Sequence, residues 1–340
     1  MADTKSTASP EDILVGGQAV IEGVMMRTPR AYAVAVRHLD GSVEVKREMV
    51  KRLSERCLIF SWPIIRGFAV LVQSLALGIK TLNYSVNVSI QDMEDKEDKE
   101  AAEAATKAGT NGAPEKVKAE KKKSGNNALP VVVSMVLGVA AAVLLFILLP
   151  LGLTILLKSY FAVVENWVVF NLVDGVIRVV IFFVYLLLIS RLKDIQRVFE
   201  YHGAEHKVVH TWEEGAELNV TNARQRTTQH PRCGTSFLMF VMVVSILVFS
   251  LFKFHTFWAI FLSRVILIPV VSGLSYELIR LSAPRCKKGF FRLLVLPGLT
   301  LQRITTREPS DDQLEVAIRA LQESLELEGV RLNESTSAIC

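Results

Sequence analysis

His202-Gly-Ala-Glu-His206 places two imidazoles and a carboxylate within five residues. On a helix, residues four apart share a face and residues three apart are neighbours. His202 and His206 are therefore expected to share one divalent transition metal, with zinc the natural choice, and Glu205 stands beside them. The spacing is H-x-x-E-H, a pattern that supplies two zinc ligands and a general base. A catalytic zinc takes three protein ligands and keeps one position open for water, whose proton an adjacent carboxylate can carry. Glu205 is the candidate for that catalytic role. His210 continues the histidine stripe by one more turn. A single helix rarely wraps three ligands around one ion, so the third ligand is sought on another segment. His230 and Glu277 are the preferred metal ligands there, with Cys233, His210 and Glu22 as possible accessory groups. Two bland alternatives compete: a surface histidine cluster against lipid headgroups, or His202 and Glu205 as hydrogen bonds locking a helix to a domain.

The segments that must position these groups are mostly apolar. The 340 residues are 51% hydrophobic, with a mean hydropathy of +0.35. Apolar runs near Leu129 to Leu157, Val168 to Ser190, Ser236 to Phe254 and Thr256 to Leu281 predict four transmembrane helices, since a crossing takes about 20 residues. Residues 60–91 are apolar but interrupted by Arg66, Gln73 and Lys80 at seven-residue spacing. That polar edge predicts an interfacial or bundle-packed amphipathic helix.

The fold class expected is a mainly α membrane protein with a small cytosolic β-rich N-terminal unit (1–59) and a C-terminal helix. In the β unit, 32–37 and 42–46 alternate around Asp40-Gly41, a strong hairpin signal. Residues 92–128 are dominated by Asp, Glu, Lys and Ala and predict a solvated, disordered linker. The remaining divisions are 129–192 for the first two membrane helices, 193–235 for the motif segment, 236–281 for the last two, and 282–340 for the tail. In that tail Leu314, Ile318, Leu321 and Leu325 recur at helical spacing, with Ser310 or Asp311 placed to cap.

Lys and Arg set the expected orientation. The segment between the second and third spans carries Arg191, Lys193, Arg197, Lys207, Arg224, Arg226 and Arg232, against Lys158 and Lys253 on the other side. The motif segment and both termini are thus expected in the cytosol. Met1 to Pro10 lacks the apolar core of a signal peptide, and the scattered Cys57, Cys233, Cys286 and Cys340 suit a reducing compartment. The net charge of +5 is spread over loops and tails, with no basic, aromatic-studded stripe for nucleic acid. Asp174 and Arg178, four apart in the second span, are expected to form a structural ion pair.

Several long motifs resemble the YqhQ-like bacterial membrane proteins, a family of unknown function. They are Gly16-Gly-Gln-Ala-Val-Ile-Glu-Gly-Val-Met-Met-Arg27, Tyr201-His-Gly-Ala-Glu-His-Lys207 and His230-Pro-Arg-Cys-Gly-Thr-Ser-Phe237, then Gly273-Leu-Ser-Tyr-Glu277, Pro297-Gly-Leu-Thr-Leu-Gln302 and Thr305-Thr-Arg-Glu-Pro309. The resemblance implies a multi-pass protein of the bacterial inner (cytoplasmic) membrane with those motifs on the cytosolic face. It also implies a metal-dependent enzyme, the class to which the family has been assigned. The chain departs from the family pattern at Thr28 and Thr300, neither of them a proposed ligand.

Three functions compete. The first is a membrane-embedded, zinc-dependent hydrolase acting on an unknown membrane-proximal substrate. The second is a non-enzymatic scaffold or assembly factor for a protein partner. The third, a transporter, is weakest, because intramembrane charges are few and no repeat relates the helix pairs.

Overall fold

The computed structural model describes residues 13–50, 60, 62–107, 128–254, 256–282 and 289–330. Cys57, Cys286 and Cys340 lie outside the described residues. Two compact units emerge: one gathers Met1–Ser89, Val184–Val248 and Val265–Cys340, the other Ile90–Phe183 and Phe249–Arg264.

The first unit is built on a four-stranded antiparallel sheet in the order β1 (Gly16–Val20), β2 (Gly23–Arg27), β3 (Ala31–Arg37) and β4 (Val43–Met49). Val20 pairs with Gly23 across a two-residue turn in which Glu22 takes φ +52°. The Asp40-Gly41 turn joins β3 to β4 as the hairpin signal predicts. Gly41 sits at φ +89°, and Asp40 Oδ1 accepts from Ser42 N at 2.9 Å. β3 is buried on successive residues, Ala31 to Val36, where a half-exposed strand would alternate. Both faces are covered. Val24, Met26 and Ala35 join a core with Tyr201, Val208, Ile318 and Leu321, while Met25, Tyr32, Val34 and Val36 pack with Leu77 and Val88.

The cover on that second face is α1 (Ile65–Lys107). Its Leu77, Tyr84 and Val88 lie along one stripe on the sheet, and Ser85 Oγ accepts from Ile21 N at 3.2 Å. Val72, Leu75, Ile79 and Leu82 remain exposed on the helix, so α1 has one seated apolar face and one bare one. The polar edge seen in the sequence is occupied: Lys80 pairs with Glu48 and Arg66 with Glu277. α1 also runs through Lys107, so residues 92–107 are helical where composition pointed to a linker. Ala, Glu and Lys are strong helix formers, and Lys96 meets Glu100 one turn on at 3.8 Å. The rest of that segment, 108–127, lies outside the described residues.

The second unit contains α2 (Ala128–Val143), a π turn over Leu144–Leu148, α3 (Leu149–Tyr160) and most of α4 (Trp167–Ile189). Leu151, Val164, Phe170 and Ile260 form its core. Asp174 Oδ2 accepts from Arg178 at 2.9 Å and also pairs with Arg264 at 3.0 Å. Arg264 Nη2 donates to Asn171 Oδ1 at 3.2 Å, and its guanidinium lies 4.6 Å from the Phe249 ring centre. The expected ion pair is therefore a cluster of two guanidiniums on one carboxylate, in which each partner relieves the cost of burying the others.

The chain continues through α5 (Lys193–Glu213), α6 (Val220–Arg224), α7 (Gly234–Ser250), α8 (Phe257–Ile266), α9 (Ile268–Ser282), α10 (Gly289–Thr305) and α11 (Asp311–Glu328). Among the described residues three helices are long and apolar enough to cross a membrane, or four if the bent pair α8–α9 counts as one. The three differ from the expected set. α1 qualifies by length and composition, whereas α7 has only 17 residues. Pro269 lies in the first turn of α9, where the missing N–H costs nothing, and the break just before it is where proline is tolerated.

α11 closes the first face of the sheet. Ser310 caps it with a reciprocal capping box to Gln313, and Leu314, Ile318, Leu321 and Leu325 are all buried.

Candidate functional site

α5 presents two chemically different faces. Tyr201, Ala204, Val208 and Val209 are buried in the core shared with the sheet and α11. His202, His206 and His210 occupy the other side. Gly203, between them, is dictated by a close approach: a Cβ there would lie 2.0 Å from the Arg307 carbonyl oxygen. Arg307 N in turn donates to Phe199 O at 2.9 Å. This contact pins the segment after α10 onto α5 and delivers the Thr305 carbonyl to His202.

His202 Nδ1 lies 2.8 Å from Thr305 O, and His206 Nδ1 lies 2.5 Å from Thr228 O. A carbonyl can only accept, so each Nδ1 carries its proton and each neutral ring keeps the Nε2 lone pair. That is the arrangement found behind metal-ligating histidines, where a second-layer acceptor fixes the tautomer. His202 Nε2 faces Cys233 Sγ at 3.2 Å. His206 Nε2 is buried and has no hydrogen-bond partner, a costly state for a polar atom unless something else occupies it. One ligand atom each from His202, His206 and Cys233 falls within 4.8 Å of the others. Two imidazole nitrogens and a sulfur form a donor set that suits zinc, so these residues fit a transition metal.

Cys233 reaches the rings because of the turn before α7. His230 N donates to Gln302 Oε1 at 2.7 Å, Gln302 Nε2 donates back to His230 O at 2.8 Å, and the same amide reaches Ser236 Oγ at 2.9 Å. Gln302 thus clamps the turn from α10. Cys233 sits at the start of α7 and its Sγ accepts from Thr235 N at 3.4 Å.

The remaining site residues are distributed as follows. His230 belongs to a second group, with His210 and Glu213, whose ligand atoms also lie within 4.8 Å of one another. Its Nε2 is 3.2 Å from Glu213. Burial outweighs the pull of Glu213 and lowers the His230 pKa. Burial also acts to raise Glu213, but His230 and Arg232 outweigh it and hold that carboxyl below its usual value. Glu277 joins neither histidine group. It forms a two-pronged ion pair with Arg66, at 2.7 and 2.8 Å, a pairing of helices rather than the expected place beside the histidines. Glu22 is likewise away from the rings, paired with Arg197 and 3.4 Å from the Tyr201 hydroxyl. The sequence could not show that guanidiniums 211 and 175 residues distant would take these two carboxylates.

Glu205 is 6% exposed and faces β1. A Cβ at Gly17 would lie 3.0 Å from Glu205 Cγ and 2.4 Å from Met25 O, so only glycine leaves room for this carboxylate. Burial pushes Glu205 up to about 7, opposed by the charge of His202 and by the Gly17 N–H that hydrogen-bonds it. Glu213 and Gln302 were missed as site residues. Glu213 falls three positions after His210, so extending the histidine stripe by one more turn would have found it.

Residues 62–327 match the family described as "Protein of unknown function (DUF1385)". The chain belongs to this family. It is similar to the "Uncharacterized protein YqhQ" of Bacillus subtilis (strain 168), 33% identical over 317 residues that cover 93% of each chain. No solved structure matches it.

Proposed function

We propose that this DUF1385 chain is a membrane-anchored, metal-dependent hydrolase whose ion is held by His202, His206 and Cys233. The observation that carries this reading is the buried His206 Nε2, which lacks a partner, on a ring that offers a ligand atom within 4.8 Å of those of His202 and Cys233. A bound zinc would supply an acidified water and a Lewis acid at that point. The carbonyls of Thr228 and Thr305 hold the two rings in the ligating tautomer. Glu205, close enough to His202 to feel its charge, carries the proton between water and leaving group. The excess of Lys and Arg between α4 and α7 supports a cytosolic site in the inner membrane, and the bare apolar face of α1 supports a helix lying in the interface.

Metal content of the full-length protein, purified without chelators, tests the reading. One equivalent of zinc should be lost in His206→Ala and Cys233→Ala and retained in Glu205→Gln. Glu205→Gln should lower hydrolysis of a responsive substrate by roughly 10²–10⁴-fold. Absence of transition metal from the native protein would remove the metal reading and favour the scaffold.

One contact favours a second reading. Cys233 Sγ and His202 Nε2 at 3.2 Å, with His202 oriented by a carbonyl, also make a thiol–imidazole nucleophile pair. That pair would react with iodoacetamide in metal-free protein and hydrolyse substrate with chelator present, whereas the metal site would be inactive with chelator.

A further inference from the structure

We infer that a second cation position lies beside the first, formed by His210, Glu213 and His230, so that the site takes a pair of transition-metal ions. Only the catalytic meaning of this pair rests on the proposed function; the position itself stands on its own geometry.

Six donors line one continuous strip. The His202 and His206 ring centres are 4.4 Å apart, His206 and His230 are 5.7 Å apart, and His230 and His210 are 4.7 Å apart. The widest gap falls between His206 and His230, and there the donors divide into two triads, each gathered within 4.8 Å. A single ion with ligand bonds of about 2.0–2.3 Å cannot reach across all of them. His230, the ligand expected for the first ion, belongs by position to the second.

The second triad offers two nitrogens and a carboxylate, a donor set suited to zinc, cobalt or manganese. His210 Nε2 lies 2.9 Å from Gln229 O, so it donates and its other nitrogen keeps a lone pair. His230 Nε2 lies 3.2 and 3.3 Å from the two Glu213 oxygens, and the proton now between them occupies the place a cation would take. Loading moves that proton to His230 Nδ1 and gives up the 3.3 Å contact from Arg232 N. It also displaces the Arg232 guanidinium from Glu213, a group that is 33% exposed and free to turn to solvent. The charge lost from Glu213 is thus replaced by the ion itself. Paired ions of this kind clamp the attacking and leaving oxygens of a displacement, a task suited to a phosphate ester.

Cobalt(II) titration of the full-length, metal-free protein tests the inference, because the two positions differ in sulfur. Cobalt on Cys233 gives a near-ultraviolet thiolate charge-transfer band, and cobalt on the second triad gives none. The expected result is that binding continues for one further equivalent after the thiolate band saturates. Glu213→Gln and His210→Ala should each abolish that further equivalent and leave the band intact. Cys233→Ser should abolish the band and retain the sulfur-free equivalent. Binding that stops when the band saturates would overturn the second position, as would uptake unchanged in both Glu213→Gln and His210→Ala. Loss of the band with the sulfur-free equivalent retained in the native chain would instead overturn only the first site. Thermal midpoints of the chelated variants, close to native, confirm that any loss is not unfolding.

Discussion

Gly203 and Gly17 show how little room the α5 motif leaves. The first has a carbonyl oxygen 2.0 Å from where a methyl would stand, the second a carbonyl at 2.4 Å and the Glu205 side chain at 3.0 Å. Overpacking of this kind typically costs 1–3 kcal/mol. Gly203→Ala should therefore lower the unfolding free energy read from denaturant melts by about that much and also weaken metal uptake, since it displaces the Thr305 carbonyl from His202. Glu205 gives a prediction in pH. Its folded value of about 7 lies above the ordinary carboxylate value near 4.3, so between those values the folded chain holds more protons than the unfolded one. Stability should be greatest below the unfolded value and fall as pH rises through 7, by on the order of 3 kcal/mol in chelated protein. Glu205→Gln should flatten that slope in urea melts, and an unchanged slope would refute it. The candidate ligand set was half legible. The spacing of His202, His206 and His210 reads directly as one helical face, but the choice among Cys233, His230 and Glu277 depended on contacts through space. Gln302 turns Cys233 inward and Arg66 removes Glu277, and neither partner is near in sequence.

Elements divide the same way. The alternation around Asp40-Gly41 and the heptad-like leucines of α11 follow from local spacing, so both were readable before any coordinates. Local spacing does not reveal that β3 is covered twice or that α1 lies on the sheet, because an apolar face looks the same whether protein or lipid covers it. The charged continuation of α1 misled for a related reason: composition measures burial potential, while helix propensity and Lys96–Glu100 pairing act without burial. α11 yields two mutational expectations. Leu321→Ala, at a fully buried position, should cost about 2–5 kcal/mol. Ser310→Ala breaks the capping box and should cost about 1 kcal/mol. Chemical denaturation of the purified protein measures both, and the order of the two effects is the sharper check.

At the scale of the whole molecule, the proposed membrane sidedness rests on the charges flanking α4 and α7. Single cysteines at Ser42 and at Val163, introduced into a chain with its native cysteines replaced, should respond oppositely to a membrane-impermeant maleimide. Val163→Cys should label in intact cells and Ser42→Cys only after permeabilisation; the reverse pattern would invert the proposed topology.

The sheet's partners have one more consequence, in the timing of synthesis. β2 and β3 leave the ribosome within the first tenth or so of the chain, yet Leu314, Ile318, Leu321 and Leu325 of α11 come last among the described elements. At about 5–20 residues per second, the roughly 290 residues separating β1 from α11 take on the order of 15–60 s to translate. Until α5 arrives that sheet face has no cover, and from then until α11 is made it is only partly covered. The core of the sheet therefore completes only when α11 has been made, and chains cut short before α11 are expected to aggregate through the uncovered face.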